Sequence, residues 1–111
     1  MNKEYYVKLL EELIEKNVCV PRTINGFWQT LENYRKESPE EYKSIFGEEN
    51  AEATIELHDR IISLAVRGSF SDNYIHLVVA YHFYFKKNNT GLYKMVFSLD
   101  GDVVDDMFYF H

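Results

Sequence analysis

The chain has 111 residues, a length that fits one domain covering 1–111, and 46% of them are hydrophobic, enough for a core without disulfides or metals. Its formal net charge of −6 argues against direct binding to nucleic-acid phosphates or anionic membranes. The charge either attracts cationic protein partners or serves solubility alone. Cys19 is the single cysteine, so we expect a reducing compartment. The N-terminal residues lack the apolar core of a secretory signal, and no stretch reaches the length of a membrane span, which together predict a cytoplasmic protein.

Three helices are predicted in the first half of the chain. Apolar residues recur at helical spacing over Lys3–Lys16, with glutamates on the opposite face. A second helix, capped by Thr23 or Asn25, follows a short extended connector and carries aromatic and aliphatic residues. Ser38, followed by a proline and two glutamates, marks the start of a short third helix that Gly47 ends.

The segment Glu49–Val66 fits two interpretations. At 100° per residue its charged residues fall on one arc and its aliphatic residues on the other, whereas the alternation of a strand changes parity midway. We therefore predict a helix ended by Gly68 and keep a strand with a bulge near Asp59 as the alternative. His58 lies on the apolar arc of the predicted helix and is interpreted as a hydrogen-bonded core histidine.

The last part of the chain predicts an antiparallel meander. Tyr74–Phe85 has apolar residues on both faces, which is typical of a central strand, and Leu92–Leu99 and Val103–Phe110 follow it. Asp100-Gly101 is a signal for a two-residue type I′ turn. The fold class is therefore α+β, with N-terminal helices packed on a C-terminal antiparallel meander of three or four strands.

The predicted turn sets the register of the last two strands. The opposing pairs are then Leu99 with Asp102, Phe97 with Val104, Met95 with Asp106, and Tyr93 with Phe108. Asp106 falls among the apolar residues of one sheet face, and Asp105 points to the other face. An inward charge on a last strand guards the edge against aggregation or, alternatively, binds a lysine or arginine of a partner.

No catalytic or metal-binding set is recognisable. Asp105 and Asp106 are consecutive, so they point to opposite faces of a strand and cannot form the carboxylate pair of a glycosidase. His76 and His82 are about 20 Å apart along a strand, too far to share a metal ion. The Asp-Gly-Asp stretch at 100–102 lacks the spacing of a calcium loop. We expect neither an enzyme nor a bound cofactor, and we interpret Cys19 as a small buried hydrophobic residue.

Acidic residues concentrate in two parts of the chain. Eight lie from Glu37 to Asp59, where Lys43 is the one basic residue, and four aspartates lie within the seven positions 100–106. The preference of helix starts for acids explains only some of them. We predict that a basic protein partner binds Asp100, Asp102, Asp105, Asp106, Glu48, Glu49, Glu52 and Glu56.

In its overall profile the chain resembles the small immunity proteins of bacterial contact-dependent and polymorphic toxin systems. The resemblance rests on the acidic region Glu37–Asp59 and on the tail Leu99-Asp-Gly-Asp-Val-Val-Asp-Asp-Met-Phe-Tyr-Phe. It implies a cytoplasmic inhibitor that holds a cognate, nuclease-like toxin by charge complementarity and occludes its active site. It assigns no role to an individual residue.

Two other functions remain open from the sequence. In the first, a helix-backed curved sheet encloses a small ligand or substrate, with His58, Tyr81 and Asp106 converging inside the cavity. In the second, the chain is an oligomeric subunit that pairs through the aromatic strand Tyr74–Phe85.

Overall fold

The computed structural model of the protein describes residues 3–47, 54–66 and 75–111. Within these ranges three helices precede four strands. The elements are α1 Lys3–Lys16, α2 Cys19–Glu37, α3 Pro39–Phe46, β1 Ile55–Val66, β2 Ile75–Phe85, β3 Asn88–Ser98 and β4 Val103–Phe110. The strands form an antiparallel sheet in the order β1-β2-β3-β4, which confirms the α+β prediction and sets the number of strands at four.

The helices pack on one face of the sheet, and Phe27 of α2 lies at the centre of the contact. Its side chain is fully buried. Its ring centroid lies 5.3 Å from that of Phe83, 5.8 Å from that of Tyr93 and 5.6 Å from that of Phe108. These three rings come from β2, β3 and β4, so one helical side chain joins three neighbouring strands. Burying an aromatic ring of this size stabilises the fold by roughly 2–3 kcal/mol.

Helix α2 begins at Cys19, earlier than the predicted cap at Thr23 or Asn25, so the interpretation of 18–21 as an extended connector is wrong. Pro21 falls in the first turn, where the missing N–H costs no hydrogen bond. Val18 reverses the chain between α1 and α2 in the left-handed conformation, with φ of 53°. Cys19 is fully buried, as predicted, and burial raises the pKa of its thiol.

The prediction of a helix over Glu49–Val66 is wrong for its described part, which is strand β1, and the alternative of a bulged strand is confirmed. The register shifts between His58 and Ile61, and Asp59 has φ of 55° there. The bulge restores the alternation, because the apolar residues before and after it then face the helices together. Packing against β2 therefore prevails over the helical periodicity of the segment.

The β3–β4 hairpin closes with a three-residue loop, Leu99-Asp100-Gly101, and not with the predicted two-residue turn. Ser98 N–H donates to Asp102 O at 2.8 Å, and Gly101 has φ of 91°, which a glycine adopts without strain. The predicted pairs of Leu99 with Asp102 and of Phe97 with Val104 are therefore wrong.

A bulge near the hairpin end of β4 then corrects the register. Phe97 pairs with Val103, and Val96 pairs with Asp105, so Val104 is the extra residue. Val104 is exposed, contrary to its predicted place on the apolar face. Beyond the bulge, the predicted pairs of Met95 with Asp106 and of Tyr93 with Phe108 are confirmed.

Strand β2 lies inside the sheet, as its pattern predicted. Both of its edges are hydrogen-bonded, to β1 and to β3. An oligomer that pairs through the backbone of this strand is therefore excluded. The strands with an unpaired edge in the described sheet are β1 and β4.

The left-handed backbone of Val18 makes a stability prediction. A β-branched residue in this conformation costs about 1–2 kcal/mol relative to the right-handed region, and asparagine tolerates it better. We expect Val18→Asn to raise the free energy of unfolding by about 1 kcal/mol in urea denaturation. The control is Val7→Asn, since Val7 is similarly exposed but lies in the right-handed helix α1. Equal stability of the two variants would contradict the argument.

Candidate functional site

The tip of the β3–β4 hairpin is held against the junction of α1 and α2. Arg22 Nη1 donates to Gly101 O at 2.6 Å and to Asn17 O at 3.3 Å. The guanidinium carbon also lies 4.9 Å from the centroid of the Phe97 ring. Asp100 and Asp102 are exposed on either side of Gly101, so the fold displays both carboxylates from an anchored loop.

Asp105 and Asp106 point to opposite faces of the sheet, as the alternation of a strand requires. Asp105 lies on the face without helices, and its Oδ1 accepts a hydrogen bond from the Asp106 N–H at 2.9 Å. Asp106 lies on the face that α2 covers. Its Oδ2 accepts hydrogen bonds from the Tyr93 hydroxyl at 2.9 Å and from Thr30 Oγ1 at 3.2 Å.

Tyr93 is the fixed donor in this arrangement. Burial raises the pKa of its phenol well above the usual value near 10, and the charge and hydrogen bond of Asp106 raise it further, while the Thr30 hydroxyl acts in the opposite direction. The phenol therefore keeps its proton at physiological pH and donates it to the carboxylate. The fully buried Tyr93 ring thus holds the Asp106 carboxylate in place.

A cleft of about 480 Å³ opens beside Asp106, between the second half of α2 and the end of β4. We call it the β4 cleft. Its lining residues are Thr30, Asn33, Tyr34, Glu37, Asp106, Phe108 and Phe110. Three of them are aromatic, two are carboxylates and none is a lysine, arginine or histidine. The cleft therefore combines ring surfaces with uncompensated negative charge.

The aromatic wall of the β4 cleft is built from both elements. The Tyr34 ring of α2 lies 5.4 Å from that of Phe110, which in turn lies 5.1 Å from that of Phe108. Phe110 remains 38% exposed, so part of its ring faces solvent. The hydroxyl of Tyr34 donates to Glu41 on α3 at 3.2 Å, which orients the ring.

The eight acidic residues predicted to bind a partner do not form one surface. Asp100, Asp102, Asp105 and Asp106, the hairpin aspartates, lie together on one hairpin and are all exposed. Glu48, Glu49 and Glu52 lie outside the described residues.

Glu56 lies on β1, at the opposite edge of the sheet from the hairpin aspartates. The two edges of the sheet are about 14 Å apart. Glu56 pairs with Tyr84 and Asp105 pairs with Val96, so the two acidic residues are also offset by about 20 Å along the strand direction. The Glu56 carboxylate lies 2.7 Å from His58 Nε2. Glu56 therefore belongs to a different part of the surface.

The hairpin aspartates make no ion pair with a lysine, arginine or histidine of the described residues. The lysine and arginine side chains that do pair with an acid there are Arg35 and Lys36, which contact Glu32 at 2.5 Å and 3.8 Å. Arg22 approaches the hairpin, but its hydrogen bonds go to backbone carbonyls. The negative charge of the hairpin is therefore directed to solvent.

The predicted convergence of His58, Tyr81 and Asp106 does not occur. His58 pairs with His82, on the sheet face without helices, whereas Asp106 faces α2. The His58 side chain is 52% exposed, so its interpretation as a core histidine is wrong, and the reason is that β1 is a strand and not a helix.

No group of three or more histidine, cysteine, aspartate or glutamate residues in the described part of the chain could hold a metal ion. Nor is any of the helices in 3–47, 54–66 and 75–111 both long and apolar enough to cross a membrane.

The helical wall of the β4 cleft was not predicted from the sequence. Thr30, Asn33, Tyr34 and Glu37 have the spacing i, i+3, i+4 and i+7, which places them on one stripe of α2. That stripe adjoins the buried stripe of Phe27. The spacing is therefore visible in the sequence, but nothing in the sequence places this stripe of α2 beside β4.

Comparison with known proteins identifies no relative. No family model matches the chain, and neither a curated protein nor a solved structure is detectably similar to it.

The buried phenol of Tyr93 makes a prediction about alkaline stability. Its pKa is higher in the folded chain than in the unfolded one, so folding keeps a proton that the unfolded chain releases above pH 10. The contribution of this proton to the free energy of unfolding is complete below pH 10. It is lost at about 1.4 kcal/mol per pH unit as the pH rises further. We expect Tyr93→Phe to lose stability less steeply than the unchanged protein between pH 9.5 and about pH 11.

The measurement is urea denaturation at each pH. Tyr93→Phe also loses a hydrogen bond, so its stability at pH 8 should be lower by about 1 kcal/mol, and only the slope with pH tests the argument. Tyr5→Phe removes the same atom from an exposed ring of α1 and serves as the control. Parallel pH curves for Tyr93→Phe and Tyr5→Phe would show that the phenol is not held protonated by the fold.

Proposed function

We propose that this protein is a cytoplasmic inhibitor that binds a basic partner and neutralises it, as an immunity protein neutralises its cognate bacterial toxin. The partner is a nuclease-like toxin domain, and inhibition occurs by occlusion of its active site. The hairpin aspartates are the main contact.

The observation that carries this proposal is the concentration of unpaired carboxylates on an anchored hairpin. Four aspartates occupy seven consecutive positions, and none is paired with a cation of the described residues. Arg22 holds the loop through Gly101 O without contacting the carboxylates. No cation of the described residues neutralises this charge, which favours a role in binding.

Charge complementarity explains how such a surface would work. A nuclease concentrates positive charge in the groove that receives the phosphates of its substrate. Exposed carboxylates on an anchored hairpin compete for that groove, and opposite potentials accelerate the encounter. Binding would therefore be fast and weakened by salt, and the substrate could no longer enter.

The fold favours a contact along the β4 edge of the sheet, since the hairpin aspartates and the β4 cleft both lie there. Glu56 lies at the far edge of the sheet and cannot join the hairpin aspartates under a small toxin domain without a much larger interface. Glu37, by contrast, lies in the β4 cleft beside Asp106. The proposed contact therefore runs from the hairpin tip along β4 to the end of α2.

The function is tested by co-expression with the products of the adjacent genes. We expect one neighbour to encode a protein with a basic C-terminal domain that arrests bacterial growth when expressed alone. Co-expression of this chain should restore growth, and the two should co-purify as a complex. A toxic neighbouring domain that this chain neither binds nor neutralises would contradict the proposal.

The contact surface is tested by charge reversal in the same complex. We expect Asp100→Lys with Asp102→Lys to reduce the association rate at least tenfold in 50 mM salt, because the steering field is reversed where the partner docks. The matched control is Glu4→Lys with Glu12→Lys, which changes the net charge equally on exposed positions of α1. Stopped-flow or surface plasmon resonance measures both rates.

Two results would locate the contact elsewhere. One is an association rate that the two double variants reduce equally, since net charge alone would then account for the effect. The other is an association rate of the unchanged protein that does not fall between 50 and 500 mM salt, since steering by exposed charges is screened over this range.

A further inference from the structure

We propose that the β4 cleft is a receptor for one arginine side chain of the partner. This inference rests on the proposed function, because it names the group that the acidic end of the molecule would bind. It adds a specific pocket to what is otherwise a general attraction between charges.

The position of Asp106 supports a directional contact. One carboxylate oxygen, Oδ2, is engaged by the hydroxyls of Tyr93 and Thr30, which fix the plane of the group. The other oxygen, Oδ1, accepts no hydrogen bond from the described residues. A carboxylate held in this way presents free acceptor positions to an incoming donor, and Asp106 is exposed.

The second carboxylate and the amide of the β4 cleft extend the acceptor set. Glu37 lies one helical turn beyond Asn33 on α2, and both line the cleft. Asn33 Oδ1 accepts a hydrogen bond from Gln29 Nε2 at 3.2 Å, and a carbonyl oxygen has a second lone pair for a further donor. A guanidinium carries five N–H donors in a planar fork, which suits several oxygens on different elements.

The aromatic walls distinguish arginine from other cations. The rings of Phe108, Phe110 and Tyr34 lie within 5.4 Å of their neighbours in this row, and Phe110 is partly exposed. A planar guanidinium stacks on such rings while it donates hydrogen bonds at its edges, whereas an ammonium group is a compact, strongly hydrated charge. A wall of this kind is unsuited to a metal ion, which needs several oxygen ligands around it.

The size of the cleft is consistent with one side chain. Its volume of about 480 Å³ is many times that of one water molecule and lies in the lower part of the range for small-molecule sites. A purely apolar occupant would bury two carboxylates without a neutralising charge, which is unfavourable.

The probe for this site is N-acetyl-arginine methylamide, titrated into the isotopically labelled protein at about 0.15 M salt, where the Debye length is about 8 Å. We expect a dissociation constant in the millimolar range and amide chemical-shift changes confined to Thr30–Glu37 and Asp106–Phe110. N-acetyl-citrulline methylamide has the same shape without charge and should cause no saturable shifts. The corresponding lysine derivative should bind at least threefold more weakly.

Two adjacent aspartates provide matched variants. Asp106→Asn keeps the shape and the hydrogen bonds from Tyr93 and Thr30 but removes the charge, so it should weaken arginine binding at least tenfold. Asp105→Asn removes the same charge from the opposite face of the sheet and should leave the affinity within about twofold, because exposed charges beyond contact are largely screened.

The results separate this inference from the proposed function. Shifts at Asp100 and Asp102 in place of the cleft would overturn the receptor and leave the acidic contact intact. Equal affinity for the arginine and lysine derivatives, or equal loss in the two aspartate variants, would also overturn it. Saturable arginine binding in the cleft, together with failure of the co-expression test, would support the receptor and contradict the toxin inhibitor.

Discussion

The contact of Phe27 with rings from β2, β3 and β4 determines where α2 lies on the sheet, and the geometry of the candidate site depends on that contact. Truncating a buried phenylalanine to alanine costs about 3–5 kcal/mol, a large part of the stability of a domain of this size. Thr30 lies one turn farther along the helix and reaches Asp106. The same packing that forms the core therefore also positions the polar groups at its rim.

Local patterns predicted much of the fold. Helix α1 and the two faces of β2 follow from periods of 3.6 and 2 that the residues obey without interruption. The pair of Met95 with Asp106 was predicted from a two-residue turn, and it holds because the three-residue loop and the bulge at Val104 offset each other. Strand β1 was predicted as a helix because its bulge at Asp59 shifts the apolar positions into a helical spacing. A bulge depends on the partner strand, so its position is not contained in the segment itself.

The candidate site was predictable only in part. The crowding of aspartates in the hairpin is visible in the sequence, as is the split of Asp105 and Asp106 between two faces. The sequence does not show that Glu56 lies far from the hairpin aspartates or that Glu37 shares the β4 cleft with Asp106. Both facts depend on the order of the strands and on the placement of α2. Acidic residues that are neighbours along the chain are therefore a poor guide to which of them share a surface.

The way in which Arg22 holds the hairpin tip has a consequence for the energetics of complex formation. Its Nη1 donates to the carbonyl oxygens of Gly101 and Asn17, and its guanidinium lies over the Phe97 ring. A partner that binds at the tip would not have to break a salt bridge of the hairpin aspartates, because they form none with the described residues. It would not have to order the loop either, because Arg22 already holds it. The conformational entropy lost on binding would then come chiefly from the carboxylate side chains. A small loss of this kind allows a small interface to bind tightly.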